Sequence, residues 1–167
     1  MELWEALKTR RSIRAYKPDP VPRALVEKVL EAARLAPSAA NRQPWHFFVV
    51  ADAGRRAALR EAYGKEWFYT APVIIAACAR PGAGWKRADG ASYAAVDVAI
   101  AFDHLTLAAR AEGLGTCWIG AFEPAELRRI LELPAELEPV ALTPLGFPAE
   151  DGRFNARKPL DEITTWL

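Results

Sequence analysis

Cysteine and histidine are scarce in this chain: two of each, Cys78, Cys117, His46 and His104, all separate in sequence. No pair has the spacing of metal ligands, so no metal site is expected. Both cysteines sit in apolar, strand-like runs and read as reduced core thiols. The N-terminal stretch MELWEALKTRR is amphipathic and lacks the apolar run of a signal peptide, so the expected location is cytoplasmic. Charge of one sign is also missing. Lys plus Arg is 22 against 21 for Asp plus Glu, a net of +1, which gives no global pull toward nucleic acid or an anionic membrane. Any anion site must therefore be local. The longest apolar stretch, Ser92 to Ala111, is broken by Asp97, Asp103, His104 and Arg110 and is not a membrane span. A dinucleotide fingerprint is absent too. Gly113-Leu114-Gly115 follows a helix rather than a strand, and Gly82-Ala83-Gly84 leads into Trp85-Lys86-Arg87 rather than a P-loop lysine.

What remains is ample for one domain spanning residues 1–167, with 51% hydrophobic residues. The segment Ser92–Gly120 organises it. Val98, Phe102, Leu105 and Ala109 fall on one helical face, and Val96, Ile100, Leu107 and Ala111 on another, so this helix is expected to be buried on most sides, in the core and against a second subunit. Gly113 supplies its left-handed end, and Thr116–Ile119 reads as a short buried strand. Around it the periodicity predicts helices over Glu2–Thr9, Pro22–Leu35, Asp52–Tyr63 and from Pro124. Strands are predicted over Trp45–Ala51, Val73–Ala79 and Pro139–Phe147. Residues 81–90 read as a glycine-rich excursion. The terminal ITTWL reads as a strand that adds to a sheet edge, including that of another subunit. The order fits an α+β layered fold better than a doubly wound one.

Two short motifs carry chemistry. In RRSIR, Arg10, Ser12 and Arg14 alternate and so share a side while Ile13 points inward; two guanidiniums and a hydroxyl on one side suit a phosphate. The other reading is a solvated basic turn. In PSAANRQPW, the small residues Ser38, Ala39 and Ala40 let a planar ligand approach the backbone, and Asn41 offers a donor and an acceptor. The plain alternative is a helix C-terminal loop.

These motifs, followed in order by GTCWIG and ARKPLDEI, resemble the FMN-dependent nitroreductase family over nearly the whole chain. The resemblance implies an α+β nitroreductase-like fold with a mixed, mainly antiparallel sheet flanked by helices. It implies an intertwined homodimer whose C-terminal segments exchange, with FMN at the interface and NAD(P)H as electron donor. It places Arg10, Arg11, Ser12 and Arg14 at the FMN phosphate and neighbouring oxygens, and Pro37, Ser38, Ala39 and Asn41 along the ribityl chain and ring. Trp118, Ile119 and Gly120 then lie beside the ring with a backbone N–H near it, and Arg157 with Lys158 completes the phosphate site. Asn155 falls where a relative has a phosphate lysine. Trp67, Phe68, Tyr69 and Trp85 are candidates for the substrate pocket. No protein side chain is expected to be the redox group, because the flavin does that work. The implied reaction is ping-pong reduction of a small acceptor such as a nitroaromatic or quinone. Dehalogenation or ene reduction on the same fold, or a non-catalytic FMN carrier, are the alternatives.

Overall fold

Strand β2 (Val73–Ala79) is buried along its whole length, and the rest of the molecule is layered on its two faces. It lies between β1 (Trp45–Val50) and β4 (Glu138–Gly146), with the two-residue β3 (Gly115–Thr116) beyond β4, in the order β1-β2-β4-β3. All three ladders are antiparallel, with Trp45 opposite Ala79, Val73 opposite Leu145 and Gly115 opposite Gly146. One isolated parallel bridge, Ser12 to Thr116, ties the N-terminal segment to this sheet, so the pairing is mixed but mainly antiparallel. This computed structural model describes all residues, 1–167.

Alternation along β2 divides the core in two. Val73, Ile75, Ala77 and Ala79 face helices α2 (Arg23–Arg34) and α5 (Ala94–Ala111), packing with Val29, Ala33, Val98, Phe102 and Leu105. Ile74 and Ala76 face the other way, toward Leu59, Phe68, Leu127 and Leu142. That second layer is built by α3 (Ala53–Ala58), α4 (Glu66–Tyr69) and α6 (Pro124–Leu131). The short α1 (Leu3–Thr9) lies against α5. This is the expected α+β layering.

Local chemistry explains the element ends. Asp52 caps α3 by accepting from the Arg55 N–H at 2.8 Å. Pro124 occupies the first turn of α6, where its missing N–H costs nothing. Gly113, at φ 76°, closes α5 in a Schellman arrangement: Leu114 N–H donates to the Ala109 carbonyl at 2.8 Å and Gly113 N–H to Arg110 at 3.1 Å.

Three expectations need correction. The Asp52–Tyr63 helix breaks after Ala58 into tight turns, and α4 forms separately. Pro22 precedes α2 as its cap instead of entering it. The strand predicted for Thr116–Ile119 stops at Thr116. Pro144 stands next in line on β4 and has no N–H to offer a ladder. The Cys117 N–H instead donates to the Thr143 hydroxyl at 3.0 Å, and pairing resumes only between Ile119 and Leu142. The interruption turns Trp118 outward, 43% exposed, edge-on to Phe102 at 4.5 Å. The ITTWL ending, which follows a single turn at Leu160–Glu162, pairs with no strand of its own chain, and its expected partner is the sheet edge of another subunit.

Gly115 is required by close approach. A Cβ there would lie 2.8–3.0 Å from three side-chain atoms of Ile13, below any ordinary contact distance. Gly115→Val is therefore expected to destabilise the fold by about 2 kcal/mol or more through overpacking, read as a lowered urea midpoint with unchanged slope. A midpoint equal to that of the unsubstituted protein would contradict this packing.

Candidate functional site

The N-terminal motif leaves α1 as extended chain. Ile13 N–H donates to the Thr116 carbonyl at 2.9 Å, and its side chain is buried, so Arg10, Ser12 and Arg14 alternate as expected. The C-terminal segment then crosses this strand. Ala149 N–H donates to the Ala15 carbonyl at 2.9 Å, and the Glu150 carboxylate accepts from the Arg14 N–H at 3.3 Å.

The crossing encloses a cavity of about 480 Å³ lined by Trp4, Leu7, Lys8, Arg10, Arg11, Ser12, Arg153, Phe154, Asn155 and Arg157. Five of these ten are cations, and none is a carboxylate. None of the five pairs with an acidic side chain elsewhere. Arg11 is held by the Lys8 carbonyl at 2.6 Å and lies over the Phe154 ring at 4.8 Å; Arg157 donates to the Asn155 carbonyl at 2.8 Å. In a chain of net charge +1, such a local concentration of cations has the chemistry to receive a multiply charged anion.

The other predicted residues are distributed around this cleft. Arg14 opens on its far side, in a second cavity shared with Ser12, Glu150, Asp151, Gly152 and Arg153, and its guanidinium lies 5.9 Å from the Trp67 ring. Lys158 lies outside the cleft, 3.9 Å from Glu162. Phe68 is a correction: it is fully buried, edge-on to Tyr63 at 5.3 Å, and is core instead of pocket wall. Trp67 and Tyr69 remain partly exposed on that side. Trp85 stacks edge-on to Tyr93 at the start of α5.

Pro37, Ser38, Ala39 and Asn41 also lie near the start of α5. Ser38 Oγ accepts from the Gln43 N–H, and Ala39 N–H donates to the buried Asp97 carboxylate, both at 3.0 Å. Ala40, Asn41 and Gln43 all take positive φ, a strained path for residues other than glycine. The cleft, in contrast, is joined to the end of α5, where Arg110 donates to Thr9 Oγ1 at 3.0 Å. Asp97 and Arg110 are 13 residues apart, or about 20 Å along a helix. Trp118–Gly120 lie between. The Ile119 N–H is committed to the Leu142 carbonyl at 2.9 Å, whereas the amide of Gly120, exposed and with open space where a Cβ would go, has no partner in the chain.

Sequence reasoning missed Lys8, Arg153 and Asp97. Lys8 shares the cleft because it ends a helix that leads straight into RRSIR. Arg153 and Asp97 carry no local signal.

A family model described as the nitroreductase family matches residues 7–67 and 53–147. The chain belongs to the nitroreductase family. It is 36% identical to an NADH dehydrogenase of Thermus thermophilus over 188 aligned residues, covering 94% of this chain and 92% of that protein. A nitroreductase family protein from Clostridium difficile superposes with a TM-score of 0.90 at 32% identity, covering 99% of this chain and 98% of the other. A structure from Desulfovibrio desulfuricans in complex with FMN superposes with a TM-score of 0.85 at 29% identity, covering 100% and 97%. No helix of the chain is long and apolar enough to cross a membrane.

Neither thiol is poised for chemistry. Burial pushes the Cys117 thiol up, and pushes Cys78 up to about 11 from an ordinary 9.0. The folded Cys78 keeps its proton where the unfolded chain has lost it. Its contribution to stability is therefore full below pH 9.0 and lost as pH rises through about 11. Cys78→Ser is expected to flatten the fall in stability over that alkaline window in urea titrations at stepped pH. An unchanged slope would contradict a buried, protonated thiol.

Proposed function

We propose that this protein is an FMN-dependent NAD(P)H oxidoreductase that acts as a homodimer and reduces small acceptors such as nitroaromatics or quinones. The observation that carries the proposal is the carboxylate-free cleft in which Arg10, Arg11, Ser12 and Arg157, from the two ends of the chain, line one cavity. Membership of the nitroreductase family, the NADH dehydrogenase relative and the FMN-bound neighbour support it. Two free, buried thiols are in keeping with a reducing, cytoplasmic setting.

The donor set fits an FMN phosphate. Arg10, Ser12 and Arg157 would hold its oxygens, each charge-assisted hydrogen bond contributing roughly 1.5–3 kcal/mol. Arg14, next to Trp67, would stabilise negative charge on the ring, and the free Gly120 amide would donate to a ring nitrogen. When bound, FMN supplies the hydride-carrying ring. The open space at Gly120 and the part-exposed Trp67 and Tyr69 leave one face for donor and acceptor in turn, which gives ping-pong kinetics.

A second copy of the chain completes the site. The 37–41 loop and the arginine cleft lie toward opposite ends of α5, an arrangement in which the loop would reach a cofactor held in the cleft from the partner. An apolar groove of about 470 Å³ along α5, lined by Leu3, Ala6, Leu35, Leu107 and Ala111, and the exposed Leu160, Ile163 and Trp166 of the tail are the surfaces such a dimer covers.

The purified protein is expected to be yellow, to bleach anaerobically with NADH or NADPH, and to recolour on adding a quinone or nitroaromatic. Arg10→Ala is expected to lose flavin on dialysis under conditions where the unsubstituted protein keeps it. A protein that stays colourless when FMN is added, or full flavin retention by Arg10→Ala, would overturn the assignment.

A further inference from the structure

At Gly152 the C-terminal segment lies against the middle of the N-terminal motif. It takes φ 68°, and a Cβ there would lie 2.9 Å from Arg11 Cβ, 3.0 Å from Ile13 Cδ1 and 3.0 Å from the Ser12 carbonyl oxygen. Both the backbone conformation and the space exclude a side chain. The next residue, Arg153, is the only cation that lines both cavities, the cleft with Arg10, Arg11 and Arg157 and the neighbouring one with Arg14; Ser12 is the other residue common to the two. Its guanidinium has no carboxylate partner and no hydrogen bond within the chain, although it is exposed and Asp151 and Glu150 are close in sequence. Asn155, two residues on, contributes no charge to the cleft.

On the reading that the cleft takes a phosphate monoester, we propose that Arg153 is a phosphate-binding residue of this chain and that Gly152 is the positioning residue that brings it there. The left-handed turn at Gly152 lets the tail backbone lie directly on Ser12 and Arg11. The side chain that follows then starts within reach of the same anion as Arg10 and Ser12, from the opposite wall. Arg153 supplies from the tail a cation that position 155 does not.

The test compares FMN with riboflavin, which has the same ring and ribityl chain but no phosphate. Dissociation constants of both are measured by fluorescence quenching on the apo dimer. Arg153 is exposed, so Arg153→Gln folds, and it is expected to weaken FMN binding about tenfold, the effect of losing one charge-assisted hydrogen bond, with riboflavin affinity unchanged. Gly152→Ala is expected to lower the preference for FMN in the same direction. Adding Arg153→Gln on top is expected to cost less than it does alone, because the arm is already displaced. Equal changes for FMN and riboflavin in Arg153→Gln, or full additivity with Gly152→Ala, would overturn the inference. Failure of the unsubstituted protein to prefer FMN over riboflavin would instead overturn the functional reading on which it rests.

Discussion

The structure depends on one backbone crossing. The tail after β4 returns over the extended segment that follows α1, and three contacts join the two: the Ala149 N–H to the Ala15 carbonyl, the Glu150 carboxylate to the Arg14 N–H, and the bare Gly152 against the Ser12 carbonyl and the Ile13 side chain. Like charges do not gather spontaneously. Five unpaired cations in one cleft repel one another, and only a framework fixed by other forces holds them there. That framework is the seating of Ile13 in the core beside Gly115, and the ladder of β3 on β4. An anion seated among them would relieve that repulsion.

The sheet supplies the second constraint. β4 cannot continue its ladder past Thr116 because Pro144 offers no donor, and the Thr143 hydroxyl takes over for Cys117. This small defect exposes Trp118 and leaves the Gly120 amide free while keeping Ile119 fixed to Leu142. The same rigid α5 that carries the core fixes the spacing between the arginine cleft and the strained 37–41 loop. That separation along one helix is the ground on which the proposed function sets two chains around one cofactor.

Much of this was legible in the sequence. Hydrophobic period placed α2, α5 and α6, and the unbroken apolar run of Val73–Ala79 identified the central strand, because it is buried on both faces. RRSIR showed its alternation because Ile13 is apolar among cations. What could not be read depends on contacts distant in sequence. The loss of the strand at Cys117 is caused by Pro144, 27 positions on. Phe68 belongs to the core because Leu59, Ile74 and Leu142 surround it, which no aromatic count reveals. Arg153 is one arginine among many until Gly152 lays it beside Ser12, and Asp97 looks like an interruption of an apolar helix until it receives the Ala39 amide. The ITTWL tail has strand-like composition but no partner strand within one chain.

Native mass spectrometry of the purified holoprotein tests the central claim most directly. The account predicts two chains carrying two FMN molecules, with no flavin retained on the monomers that appear when higher collision energy dissociates the dimer. A folded single chain that retains FMN would contradict it, because all the groups that hold the cofactor would then have to come from one end of α5.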